Sequence, residues 1–223
     1  MDIFLSWNGR EVLSPAIFNS VLIVIVLSIF FIICGFKVKK ADPSKPSKGL
    51  VHFLELFVNG VEGFVTQVMG EKHVGFAPYI GMLAIYLAAA NLSGLIGLVP
   101  PTSNYSITLA MALMTIVLMV GAGIKTKGVG SYLWDTYFGD IPVLFPLHLM
   151  GEIAKPISLS FRLFGNILSG TIILALVTTF FSYFSILIFP ALNIYFDMFA
   201  GLIQTMIFCM LTMIWSLGAM EGE

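Results

Sequence analysis

The run 147-LHLMGEIAKPISLSFRLFGNILSGTIILALVTTFFSY-183 decides what kind of protein this is. It stays apolar for longer than the ~20 residues that cross ~30 Å of hydrocarbon at ~1.5 Å per residue, so it predicts a tilted membrane-crossing helix. Its middle nevertheless carries Arg162, a side chain that cannot shed its charge near neutral pH. A charge at a helix centre costs ~2.5–3.5 kcal/mol on insertion scales and by default marks an ion path or a paired site.

The rest of the chain is of the same kind. Hydrophobic residues make up 58% of it and charged residues 10%, and the mean hydropathy is +0.99. Soluble domains run at about 45–50% apolar and ~25% charged, so lipid is the expected solvent. A net charge of −1 offers nothing to a nucleic acid, and none is expected as a partner. Cys34 and Cys209 lie far apart in apolar runs and do not indicate a disulfide. Other apolar runs fall at Pro15 to Phe36, Ala77 to Val99, Ser106 to Ile124 and Phe184 to Leu217. The first lacks the basic start and short core of a cleavable signal and is kept as a span. Together these runs predict an all-α polytopic membrane protein with five transmembrane helices. The last two are long, tilted and antiparallel, joined near Ser182 to Ser185.

Lys37, Lys39, Lys40, Lys45, Lys48 and Lys72 fall in the first connection, Lys125 and Lys127 in the third, and none between Pro100 and Tyr105. The positive-inside rule then puts the N-terminus outside and Glu221 and Glu223 in the cytoplasm. The expected organisation is an outside segment over 1–14, a first span over 15–36 and a cytoplasmic linker with an interfacial helix over 37–75. The second and third spans follow over 77–124, a cytoplasmic interfacial connection over 125–146, and a long helical hairpin over 147–223. The interfacial helix is read from Leu50, Leu54, Phe57, Val61, Phe64, Val65 and Val68, which recur at three- and four-residue steps, with His52, Glu55, Asn59, Glu62 and Thr66 opposite. Gly128 to Pro146, with Tyr132, Trp134 and Tyr137, reads as a second interfacial segment.

Helical counting around Arg162 gathers His148, Glu152, Lys155, Ser158, Asn166 and Ser169 near one face. The last run offers Asn193, Asp197 and Gln204 at four- and seven-residue steps. In an antiparallel hairpin Gln204 reaches the depth of Arg162, and Asp197 lies ~10 Å nearer the outside. A static Arg162 to Asp197 bridge is the structural alternative, and Lys155 has the position of a snorkelling anchor. Gly165 and Ser169, with Gly170 beside them, let another surface approach closely.

The block Lys155-Pro156-Ile157-Ser158-Leu159-Ser160-Phe161-Arg162-Leu163-Phe164-Gly165-Asn166 resembles the signature of subunit a of rotary F-type ATP synthases. Pro101-Thr102-Ser103 leading to Thr108-Leu109-Ala110-Met111-Ala112-Leu113, then Ile124-Lys125-Thr126-Lys127-Gly128, and Gln204 extend the likeness over most of the chain. The resemblance implies a stator whose two long helices wrap an oligomeric c-ring, held by peripheral stalk b subunits, one copy per complex, in a bacterial cell membrane. It implies that Arg162 faces the ring's ion-binding carboxylate, with Gln204 beside it and Asn166 on the path. Many members have a Glu where this chain has Thr171, and some of those have a His where it has Asp197. Thr171 and Asp197 face the same outer half, so the spacing reads as a carboxylate relocated to the last helix.

The expected mechanism is two offset half-channels separated by Arg162, the outer lined by Asp197, Asn166, Thr171 and Asn193, the inner by Glu152 and His148, with Ser158 on the same face. Flow of H⁺ or Na⁺ through them would turn the ring and drive ATP synthesis elsewhere. No Gly-rich phosphate loop occurs, so no catalytic chemistry and no cofactor are expected in this chain. Two alternatives are a secondary transporter with a midplane site, whose class tends to show internal repeats that are not seen here, and a structural scaffold.

Overall fold

The computed structural model describes residues 5–7, 10–40, 49–137, 145–181 and 185–221, with side chains over 14–40, 49–137, 145–181 and 188–221. The linker over 41–48, the middle of the expected turn at 182–184 and Glu223 lie outside the described residues. Two short antiparallel strands, β1 (Leu5–Trp7) and β2 (Arg10–Leu13), pair Ser6 with Glu11 and Trp7 with Arg10. Every element described after them is a helix or a 3₁₀ or π turn.

Helix α1 (Pro15–Lys39) starts at a Ser14 cap with Pro15 in the first turn, where a missing N–H costs nothing, and ends in Lys37 and Lys39. Helix α2 (Leu50–Met69) and a 3₁₀ turn (Glu71–Phe76) lead into α3 (Ala77–Leu92). A second 3₁₀ turn (Ser93–Ile96) ends at Gly97, whose φ of 80° is the left-handed conformation that glycine adopts without strain. A third (Pro101–Ser103) leads to α4 (Tyr105–Lys127), which opens where the Asn104 side chain accepts from Ser106 N at 2.9 Å. Helix α5 (Val129–Tyr137) follows, then α6 (Phe145–Phe181), which runs unbroken through Pro156. Helix α7 (Ser185–Asn193) continues through a seven-residue π-helix (Ile194–Ala200) into α8 (Gly201–Glu221).

Five stretches are long and apolar enough to cross a membrane: Pro15–Lys39, Glu71–Ile96, Tyr105–Lys127, Phe145–Phe181 and Ile188–Glu221. All five expected spans are therefore helical, and the chain is a membrane protein. Its exterior is apolar, with Ile25, Ile32, Met114, Val117 and Phe180 all exposed, whereas Thr102, Thr108, Thr115, Ser160 and Thr212 are fully buried. This inverts the soluble pattern: in lipid, close packing and interhelical hydrogen bonds hold helices together, so small polar residues go inside. Thr115 and Thr212 satisfy their hydroxyls on the carbonyls of Met111 and Phe208, one turn back.

Two buried clusters set the geometry. Leu87 of α3, Met111 and Ala112 of α4, Leu159 and Leu163 of α6 and Phe208 of α8 meet in one. Val65 and Met69 of α2, Ile80 of α3 and Cys209 and Met213 of α8 meet in the other. The apolar stripe expected on α2 is thus packed on protein over its second half, with Val61, Phe64 and Val68 beside Val65. In the first half of α2 the stripe residues Leu54 and Phe57 are half-buried, while Phe53 and Leu56, off the stripe, are exposed. Asn19 of α1 donates to the Val99 carbonyl at 2.9 Å, and the Ser20 and Tyr86 hydroxyls pair at 2.7 Å. These bonds tie the start of α1 to the α3–α4 connection, and the alternating helices leave Lys37, Lys39, Lys125 and Lys127 at the opposite end.

Candidate functional site

Arg162 stands one residue from the midpoint of α6 and is exposed, while Leu159 and Leu163 on either side of it are buried in the four-helix cluster. The helical period explains this directly: the apolar neighbours take the inner face and the guanidinium takes the outer one. No ion pair joins Arg162 to Asp197 among the described residues, where Lys127 pairs with Asp135 at 3.3 Å and Glu152 with Lys155. The static bridge is corrected on that ground. The two side chains sit on different parts of the molecule because Asp197 turns toward the α3–α4 connection. Ser158 is exposed one turn from Arg162, and Asn166 is half-buried one turn to the other side.

Depth along the last two helices follows from their contacts. Phe208 packs with Leu159 and Leu163, while a Cβ on Gly170 would lie 3.2 Å from Phe196. Gln204, between Phe196 and Phe208, therefore falls within about a turn of Arg162. Asp197 is level with Gly170, eight residues or ~12 Å beyond Arg162. Gln204 is 7% exposed, and its Nε2 has no hydrogen-bond partner among the described residues. A buried amide donor without a partner costs about 1–3 kcal/mol, so its presence calls for a reason other than stability.

A cleft of about 380 Å³ opens between the α3–α4 connection, the C-terminal half of α6 and the α7 and π-helix segment. Thr171, Asn193 and Asp197 line it together, and Asp197 is the only charged side chain among the described residues that do. Three of the four residues expected in the outer path thus share one cavity, while Asn166 does not line it. Thr171 spends its hydroxyl proton on the Ile167 carbonyl at 2.9 Å, leaving oxygen lone pairs to accept.

At the other end of α6, Glu152 pairs with Lys155, and His148 Nδ1 lies 3.4 Å from the Tyr137 carbonyl. Tyr132 of α5 is buried with its ring over Gly123, and burial, with the Glu152 carboxylate adding to it, pushes its phenol above the ordinary value. His148, Glu152 and Lys155 therefore share one end with α5.

Two features carried no visible sign in the sequence. The π-helix widens the backbone at Asp197, as such turns do at many functional sites. Beside it lies a buried polar pin: Asn91 Nδ2 donates to the Gly201 carbonyl at 3.0 Å and to Thr205 Oγ1 at 3.4 Å, and Thr102 donates to Asn91 Oδ1 at 3.1 Å. Asn91 resembles any other residue near the end of an apolar run. Only its burial, with partners more than a hundred positions away, distinguishes it.

Known proteins resemble this chain over most of its length. The family model described as ATP synthase A chain matches residues 17–216. An ATP synthase subunit a from Mycoplasma pneumoniae is 32% identical over 221 residues, covering 88% of this chain and 75% of that protein. One from Syntrophobacter fumaroxidans is 32% identical over 182 residues, covering 78% and 73%. A Propionigenium modestum protein named ATP synthase subunit a, sodium ion specific, is 31% identical over 183 residues, covering 75% and 62%.

Proposed function

The chain belongs to the ATP synthase A chain family, and from that premise we propose that its exposed Arg162 separates two half-channels through which ions reach a rotating ring. Membership makes it a non-catalytic, ion-translocating membrane subunit that works in a complex with other subunits. The partners are an oligomeric c-ring against the outer faces of α6 and α8, and peripheral stalk b subunits, with one copy of this chain per complex. The membrane is the bacterial cell membrane, with the lysine-bearing end in the cytoplasm and the N-terminus outside.

The observation that carries this reading is Arg162 at mid-helix on an exposed face of α6, with no ion-pair partner among the described residues. Such a charge is expensive in lipid unless an anion is brought to it, and a ring carboxylate is an anion that arrives once per step. Opposite Arg162 the ionised carboxylate is favoured, and its ion leaves into one half-channel. Once past Arg162 the carboxylate must be neutralised from the other half-channel before it meets lipid. The field, ~2.3 kcal/mol per charge per 100 mV, sets the direction.

The outer half-channel is the cleft of Asp197, Thr171 and Asn193, with Asn166 and Gln204 between it and Arg162. The inner one starts at His148 and Glu152, with Lys155 holding the Glu152 carboxylate and Ser158 on the way to Arg162. The coupling ion, H⁺ or Na⁺, is decided by the ligands around the ring carboxylate. Affinity purification from mild detergent tests the assembly: the tagged chain should bring down an oligomeric ring and stalk subunits. A chain that purifies alone and moves a solute in vesicles contradicts the reading.

A further inference from the structure

We infer that Gly94 is a positioning residue for Asp197: the space its side chain would fill is where the Asp197 carboxylate sits. A Cβ built on Gly94 would lie 2.8 Å from Asp197 Cγ and 3.2 Å from Oδ1, with Oδ2 closer still. Real Cβ atoms do not approach that closely, so any side chain at 94 displaces the carboxylate or the backbone that bears it.

The backbones on both sides are fixed. Asn91, one turn before Gly94, donates to the Gly201 carbonyl, one turn after Asp197, and a Cβ on Gly201 would lie 2.9 Å from Asn91 Cβ. The end of α3 with its 3₁₀ turn and the π-helix with the start of α8 therefore meet at two points, each made possible by a glycine on opposite partners: Gly201 under Asn91, and Gly94 under Asp197. The turn carrying Gly94 is itself closed by Gly97 N donating to the Gly94 carbonyl at 3.0 Å and Leu98 N to the Ser93 carbonyl at 3.1 Å. Asp197 has a single methylene between backbone and carboxylate, so it cannot reach its present place from a shifted rotamer. Gly94 thus decides whether the Asp197 carboxylate sits in the cleft with Thr171 and Asn193 or is turned out of it.

This inference rests on the reading of Asp197 as the outer-side ion group, and its test separates the two. Complexes carrying Gly94→Ala, Asp197→Ala or both are reconstituted, and ion-driven ATP synthesis is measured while the ion concentration is varied on the outer side alone. Gly94→Ala should shift the outer-side midpoint by about two- to tenfold, the range set by the cost of an off-rotamer side chain. Inner-side dependence should not move, and the double variant should match Asp197→Ala. If Gly94→Ala prevents assembly, Asp197→Ala should restore it by removing the clash. A fall in rate with an unmoved midpoint, an effect that adds to that of Asp197→Ala, or a double variant that also fails to assemble overturns the assignment of Gly94. An Asp197→Ala complex with unaltered outer-side dependence overturns the reading of Asp197, and this inference with it.

Discussion

Gln204 separates function from stability at a single position. Its Nε2 is buried without a partner, so Gln204→Leu, which keeps the bulk and removes the orphaned donor, should leave the melting temperature of the complex unchanged or raise it slightly. Ion-driven ATP synthesis should nevertheless fall several-fold if, as proposed, Gln204 lies between the Asp197 cleft and Arg162 on the ion path. Thermal denaturation and synthesis assays on the same preparation make the comparison. A lower melting temperature with normal synthesis would assign Gln204 to packing instead. Arg162 and Asp197 were legible from the sequence for a plain reason: a charge in a run of Leu, Ile and Phe stands out against a background that excludes it. Thr171 was legible only through the resemblance, since a threonine in a membrane helix is ordinary.

Among the elements, the buried pin of Asn91, Thr102, Gly201 and Thr205 joins α3, the third 3₁₀ turn and α8. Asn91→Ala would leave the fully buried Thr102 hydroxyl without its acceptor, at about 1–3 kcal/mol for an unmet buried group, while the Gly201 carbonyl keeps the Thr205 hydroxyl at 2.9 Å. The complex should denature at lower temperature and the cleft beside Asp197 should lose its shape, lowering ion flux. Unchanged melting would show that water or rearranged partners replace these bonds. The spans were legible because length and hydropathy follow directly from bilayer thickness, and α2 because its apolar residues keep a helical step. The π-helix was not, since its extra residue per turn leaves the apolar pattern of Ile194 to Ala200 intact. Nor was the docking of α2 on α3 and α8: an apolar stripe is written the same way whether it meets lipid or protein.

On the scale of the molecule, alternating helices put the α3–α4 connection with the cleft at one end and Lys37, Lys39, Lys125 and Lys127 at the other. Cys34 and Cys209 are both buried, so the wild-type chain gives a low background to thiol reagents. Ser103→Cys should react with an impermeant maleimide from the outside of intact cells, and Lys127→Cys only from the cytoplasmic face of inverted vesicles. The opposite pattern would invert the chain and exchange the two half-channels.

In the proposed mechanism Arg162, without an ion-pair partner among the described residues, stands between the Asp197 cleft and the group of His148, Glu152 and Lys155, so coupling, rather than conduction alone, is the property at stake. The most direct measurement is Arg162→Ala in reconstituted complexes, with ion-driven ATP synthesis and passive ion flux recorded on the same vesicles. Without the barrier between the half-channels, synthesis should be lost while passive flux persists or rises. Synthesis at a near wild-type rate would contradict the account.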